Sequence, residues 1–181
     1  MKVTPLALPE VLLLEPRVFA DDRGWFFESF NRRTFATATG TDPEFVQDNR
    51  SCSARNVLRG LHYQIRQPQG KLVSVLAGSI FDVAVDLRRS SPSFGRWAGL
   101  VMAAQDRCAL WIPPGFAHGF LALSDATEVS YKTTDFYAPE HERCLIWSDD
   151  RIGIDWPLQG EPRISEKDAK GVPLASVEAF P

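Results

Sequence analysis

The sharpest periodicity in the chain lies at residues 81–87. Phe81, Val83, Val85 and Leu87 project to one side, and Asp82, Ala84 and Asp86 to the other. A strict period of two predicts a strand with one face buried. Residues 71–76 predict a second strand, and Ala77-Gly78 a short turn between the two. Further strands are predicted at 25–30, 45–47, 57–62, 97–102, 109–112, 119–123, 129–133 and 144–147, punctuated by Pro92, Pro113-Pro114 and Pro139. Many short strands with regular turns point to an all-β sandwich or barrel. Helix is scarce. Residues 31–38 predict one, capped by Asn31. Ser165-Glu166-Lys167-Asp168 reads as another opening turn, with Ser165 as cap and Asp168 at the capping-box position. No linker, repeat or low-complexity tract interrupts the pattern, so one domain over 1–181 is expected.

Composition narrows the class. Hydrophobic residues make up 44% of the chain and charged residues 24%, as in ordinary soluble globular proteins. A net charge of −3 gives no bulk positive field to draw nucleic acid, although local basic groups can still hold a small anion. The N-terminus, Met1-Lys2-Val3-Thr4-Pro5, has no long apolar segment, so no signal peptide is expected. The apolar run from Val11 to Leu14 is far short of a membrane span. Neither nucleic acid nor membrane is therefore an expected partner. Cys52, Cys108 and Cys144 are scattered and odd in number. That argues against a disulfide framework and for a reducing cytoplasm. Each reads as a small buried apolar residue.

Polar residues gather at Asp21 to Glu28, at Gln47 to Ser51, at Arg59 to Gln64 followed by Lys71, and at Tyr131 to Tyr137. Singly, each is a solvated turn or strand face, and Tyr131 and Tyr137 are core or edge aromatics. The chain has three histidines, of which two stand in ordered motifs. One is Gly60-Leu61-His62-Tyr63-Gln64; the other runs from Pro113 through Gly115 to His118 and Phe120. Both resemble the paired motifs of the cupin β-barrel: His-x-His, a Glu seven residues before a Gly, then Pro-x-Gly-x-x-His. Gln64 replaces the second His of the first pair, and Lys71 stands where the Glu would be, before Gly78. The barrel motif is kept while its metal ligands are lost. Open iron sites use His and carboxylate, so no metal is expected.

What remains suits proton transfer. The mouth of a β-barrel is a usual small-molecule site. A histidine there can act as a base near neutral pH, and a carboxylate would fix its tautomer. A tyrosine on the opposite wall could return a proton, and a lysine between them could hold a developing oxyanion. Base, acid and cation without a nucleophile suit proton abstraction beside a carbonyl, with return to the other face.

Longer segments carry a more specific resemblance. They are Asp22 to Glu28, Phe45 to Asn49, Val57 to Gln64, Gln69 to Val73, Phe81 to Asp86, Gly115 to Phe120 and Tyr131 to Thr134. In this order, and nearly end to end, the chain resembles the dTDP-4-dehydrorhamnose 3,5-epimerase family. The resemblance implies a cupin-like double-stranded β-helix, or jelly-roll barrel, with a few short peripheral helices. It implies His62 as base, Asp168 as its dyad partner, Tyr131 as proton donor and Lys71 at the C4 oxygen of an enolate. His118 would touch the sugar. Arg23, Glu28, Gln47, Asp48, Asn49, Arg59, Glu142 and Lys167 would bind substrate, and Tyr137 would stack on the thymine ring. The implied substrate is a dTDP-4-keto-6-deoxy sugar, with no cofactor and no metal. The implied assembly is a cytoplasmic homodimer whose N-terminal strands complete the neighbour's sheet and site.

The chemistry is consistent with those roles. A 4-keto group acidifies C3 and C5, and each abstraction leaves charge on O4. A fixed ammonium there is worth roughly 3–4 kcal/mol of barrier. Arg23 and Arg59 can grip a diphosphate through forked hydrogen bonds. Phe136 departs from the family, standing where a tyrosine is common, and residues 171–181 carry nothing assignable. An epimerase acting at C3 or C5 alone, or a ketoisomerase on a related sugar, shares most of these residues. A non-catalytic sugar-nucleotide-binding cupin is the alternative of another class. The intact set of His62, Lys71, Tyr131 and Asp168 argues against it.

Overall fold

The computed structural model of the protein describes residues 1–181. The strands are β1 (Lys2–Pro5), β2 (Leu12–Glu15), β3 (Val18–Asp21), β4 (Gly24–Phe27), β5 (Gln47–Ser53), β6 (Leu58–Gln64) and β7 (Lys71–Ala77). They continue with β8 (Ser79–Asp86), β9 (Trp97–Ala103), β10 (Ala109–Ile112), β11 (Phe116–Ala122), β12 (Thr127–Thr133) and β13 (Glu142–Cys144). One sheet has the order β1-β2-β10-β7-β12-β5 and the other β13-β6-β11-β8-β9. A separate hairpin pairs β3 with β4. The two sheets enclose one core, giving the cupin-like jelly roll.

Strand alternation explains the layers. Val73 and Val75 of β7, Leu110 and Ile112 of β10 and Val129 of β12 meet Ile80 and Ala84 of β8, Met102 of β9 and Phe116 and Phe120 of β11. This is the barrel interior. The outer face of the five-stranded sheet, with Leu58, Leu61, Val83, Val85 and Leu121, is covered by Leu145, Ile152, Trp156 and Val177. The outer face of the six-stranded sheet, with Leu14, Leu72 and Trp111, packs on Phe35. Phe35 comes from the one α-helix, α1 (Arg32–Thr39). As expected, Asn31 caps it: its side chain accepts from Thr34 N at 3.2 Å. Gly40 closes it with φ 74°, a left-handed C-cap that glycine adopts without strain.

Several expectations need correction. The strand over 81–87 is buried on both faces, because Ile80, Asp82, Ala84 and Asp86 point into the barrel rather than to water. The Ala77-Gly78 turn does not close a hairpin. It carries the chain from β7 in one sheet to β8 in the other. The strand expected at 45–47 runs instead over Gln47–Ser53, and the one expected at 144–147 ends at Cys144. Strands β1, β2 and β3 were not foreseen; each is four residues long, too short to show a period. The cysteines are unpaired, but none is fully buried: Cys52 is exposed and the other two are intermediate. Residues 171–181 form a strap. Tyr63 Oη donates to Glu178 O at 2.6 Å, and Asp149 accepts from Leu174 N at 2.7 Å. Val177 thereby seals the outer core. No helix is long and apolar enough to cross a membrane.

Candidate active site

The barrel opens on a cavity of about 640 Å³. A bulge shapes its floor. His118 of β11 pairs with His62 of β6, yet Phe120 pairs with Arg59, so β6 carries one extra residue here. Gly60 makes the bulge possible: its φ is 124°, and a Cβ there would lie 2.6 Å from Gly119 Cα. The extra residue breaks the period of two, so Arg59 and His62 both line the cavity while Leu61 points to the outer core.

His62 Nε2 lies 2.5 Å from Asp168 Oδ1. Asp168 is buried, in a 3-10 turn spanning Asp168–Lys170. The sequence placed Asp168 in a capping box. Ser165 Oγ does accept from Asp168 N at 3.1 Å, but the carboxylate turns the other way, to His62 and the Gly60 N–H. Burial pushes this carboxyl up. The hydrogen bonds from His62 and Ser165 and the His62 charge overcome that, holding it below the usual carboxylate range. With its Nε2 proton directed at Asp168, a neutral imidazole at this position has its lone pair on Nδ1.

Lys71 is the first residue of β7 and shares the inward side of Val73 and Val75. It is buried, and Nζ donates to His62 O at 3.3 Å. Burial lowers its pKa to about 8, with Glu142 and then Asp82 pulling the other way. Tyr131 projects from β12, the neighbour of β7 in the sheet that faces His62 of β6. Burial raises its pKa, opposed by Arg59, so its phenol keeps its proton at neutral pH. Gln64 is used structurally. Its amide donates to Gln67 O and Phe136 O and accepts from Ala138 N.

Most expected binding residues meet here. Gln47 and Asn49 alternate inward along β5, joined at 2.9 Å. Arg59 is oriented by Ser53 Oγ at 3.0 Å. Glu142 accepts from Tyr137 Oη at 2.7 Å and pairs with Lys167 at 2.5 Å. Burial would raise the Glu142 carboxyl, but Lys167 and Tyr137 hold it low. His118 lines the cavity with its Nε2 2.9 Å from Asp82 Oδ1.

Three expected residues lie elsewhere. Asp48 has the opposite parity to Gln47 and Asn49, and pairs on the outside with Lys132 at 2.9 Å. Arg23 sits at the exposed tip of the β3–β4 hairpin, held by Asp21 at 2.5 Å. Glu28 accepts from Asn31 and Thr34 at the start of α1. Asp82, Ser51, Cys144 and Arg163 were missed. Ser51 and Arg163 line the cavity, and Asp82 reaches it only through His118. For Asp82 the signal was its shared parity with Ile80 and Ala84. Cys144 is fixed beside the dyad by its pairing with His62, and its thiol is 4.0 Å from Asp168 Oδ1.

His62, Cys144 and Asp168 place possible metal-binding atoms within 4.8 Å of one another. They fit an ion poorly. Metals take the thiolate, whereas burial and the Asp168 charge push the Cys144 pKa up to about 12. His62 Nε2 and Asp168 Oδ1 are already engaged with each other at 2.5 Å.

A family model described as dTDP-4-dehydrorhamnose 3,5-epimerase matches residues 5–176. The chain belongs to the dTDP-4-dehydrorhamnose 3,5-epimerase family. It is 61% identical to the enzyme of that name from Pseudomonas aeruginosa, over 100% of both chains. It superposes with a TM-score of 0.95 on the dTDP-6-deoxy-D-glucose-3,5-epimerase of Legionella pneumophila in complex with dTDP-4-keto-L-rhamnose. That match is 45% identical and covers 98% of this chain and 94% of that one. A 3′-monoepimerase from Streptomyces bikiniensis, in complex with dTDP-quinovose, matches at 0.88 and 35% identity, covering 94% and 87%. The family assignment suits a site that can move protons beside a carbonyl.

Proposed function

We propose that this enzyme converts dTDP-4-dehydro-6-deoxy-D-glucose to dTDP-4-dehydro-L-rhamnose by inverting C3 and C5. The supporting observation is geometric. His62 stands on β6 of one sheet and Tyr131 on β12 of the other, and the same cavity separates them. A hexose between them presents one face to a base and the other to an acid. His62 Nδ1 takes the C–H proton, and the C–H electrons become the enolate double bond. The carbonyl electrons move to O4, where the Lys71 ammonium meets them. Tyr131 Oη then gives its proton to the opposite face, and the carbonyl re-forms. Solvent resets the imidazolium and phenolate. A second pass at the other carbon needs only a shift of the sugar.

Arg59 and Lys167 supply positive charge for the diphosphate, and exposed Tyr137 offers a face for the thymine. Arg23 and Glu28 complete the site of a neighbouring copy in a homodimer. What supports this is that neither lines its own chain's cavity, and that Phe19, Trp25 and Phe26 are exposed on the hairpin that carries Arg23 (50%, 58% and 69%). Exposed aromatics in a cluster mark an interaction surface. A reducing cytoplasm suits the three free cysteines.

The test is turnover in deuterated water followed by NMR. Label at both C3 and C5 with L-rhamno product is expected. Label at one carbon only would favour a single-site epimerase, the reading that likeness to the 3′-monoepimerase keeps open.

A further inference from the structure

The charges lining the catalytic cavity do not balance. Four cations, Arg59, Lys71, Arg163 and Lys167, share it with two acids, Glu142 and Asp168, although the whole chain carries −3. Both acids are engaged. Asp168 faces His62 at 2.5 Å, and Glu142 pairs with Lys167 at 2.5 Å. Lys71 is buried, with its Nζ on His62 O. Two guanidiniums remain. The chain's arginine–carboxylate pairs use neither Arg59 nor Arg163. Arg59 donates to Ser53 Oγ and Cys52 O, both uncharged.

An exposed arginine is by itself an ordinary solvated group. The backbone sets Arg163 apart. Its N–H donates to Asn56 O at 2.8 Å, and its carbonyl accepts from Leu58 N at 3.0 Å. It thereby forms a parallel bridge with Val57, immediately before β6. Bridged residues project to the same side of a sheet, and so does the residue two further along a strand. Here that residue is Arg59, reached before the bulge at Gly60. Strand spacing and rise put the Cα atoms of Arg59 and Arg163 about 8 Å apart. Both residues are exposed and both line the cavity, which places them at its mouth. The clamped backbone thus holds two forked donors on one wall, neither of them neutralised by an acid.

We infer that Arg163 is a further substrate-binding residue: with Arg59 it grips the diphosphate of the nucleotide sugar. The inference rests on the reading of the substrate as a dTDP-linked sugar. A diphosphate diester carries two negative charges at neutral pH, which two unpaired guanidiniums match. Guanidinium–phosphate contacts are forked and charge-assisted. Lys167, already drawn to Glu142, has less of its charge to give. Because Arg163 meets the phosphates and not the hexose, its contribution is equal in the ground and transition states.

The experiment is calorimetric titration of the full chain with dTDP and with thymidine, in wild type and in Arg163→Gln. The glutamine keeps the backbone bridge and breaks no ion pair, so the fold is retained. Arg151→Gln is the control: it removes an equal charge from an exposed position outside the cavity. Arg163→Gln should bind dTDP about tenfold more weakly, the low end for a charged hydrogen bond because the side chain is exposed. Its affinity for thymidine should be unchanged. The dTDP deficit should shrink as salt rises, because screening weakens an exposed charge. In turnover KM should rise by a similar factor, with kcat within about twofold. An unchanged dTDP affinity, an equal loss in Arg151→Gln, an equal loss for thymidine, or a fall in kcat at constant KM would each overturn the role of Arg163. Wild-type protein that binds no dTDP would instead overturn the nucleotide substrate itself, and the role of Arg163 with it. Wild-type binding that Arg163→Gln leaves intact overturns the role of Arg163 alone, so the two failures are distinguishable.

Discussion

Replacing Lys71 with Met should make the protein more stable and nearly inactive. The side chains are similar in length and volume, so the barrel packing is kept. The difference is the charge. Burial drops the Lys71 pKa from 10.5 to about 8. At 1.36 kcal/mol for each tenfold step, the folded state bears a cost of roughly 3 kcal/mol for holding this proton. The sign follows from linkage. Below about pH 8 folded and unfolded chains both carry the proton, and the cost is fully present. Between about 8 and 10.5 the unfolded chain holds more protons, so stability rises with pH. Above 10.5 the cost has gone. Met removes it at every pH, and also removes the hydrogen bond to His62 O, worth about 1 kcal/mol. The net gain at pH 7 is therefore about 2 kcal/mol, or roughly 4–8 °C in Tm for a chain of this size.

Urea denaturation of wild type and variant at pH 7 and again near pH 10 measures this gain. It should shrink at the higher pH and approach a small loss. Turnover, read as deuterium entry into the sugar, should fall about 10²- to 10³-fold, as for loss of one oxyanion donor. A variant less stable than wild type at pH 7, or a gain of the same size at both pH values, would refute the argument that a buried ammonium is held against its own desolvation.

Other residues give sharper splits. His62→Asn should lower turnover at least ~10³-fold, within the range for losing a general base, while dTDP affinity by calorimetry stays within about twofold; retained turnover rejects His62 as base. Tyr131→Phe should still allow deuterium to enter at C3 while inversion fails, because abstraction and return then use the same face; equal loss of both would show that Tyr131 does not act on the second face. Arg23→Ala and His62→Asn, each nearly inactive when assayed below KM, should recover activity when unfolded together and refolded, because random pairing gives about a quarter of sites both intact residues. No recovery would place Arg23 at its own chain's cavity.

Where the barrel is filled by apolar side chains, its strands were legible from alternation, as at 71–76, 109–112 and 129–133. Helix α1 was legible because its signal is local: Asn31 and Gly40 mark its ends. Strand β5 was mostly missed for the opposite reason. Gln47–Ser53 reads QDNRSCS and has no hydrophobic period, because its inward positions line the cavity. Asp82 was assigned to a watery face by the same logic, since a polar residue in a periodic strand normally marks solvent. Inside a barrel with a binding cavity, polar positions mark two surfaces, and only the three-dimensional closure tells them apart.

Asp168 shows a different limit. It stands 106 residues from His62, and its neighbours Ser165 and Glu166 explain it completely as a helix start. Resemblance to the family, not local pattern, paired it with His62. The same holds for Lys71, an ordinary strand-end cation by pattern whose burial no local rule announces. Both residues break a local preference, and both do so where charge has been drawn into the barrel: Asp168 against its own burial, Lys71 against desolvation. Such conflicts are expected at sites whose chemistry outweighs stability. Asp82, with one oxygen left unpaired in the same interior, conflicts with stability in the same way.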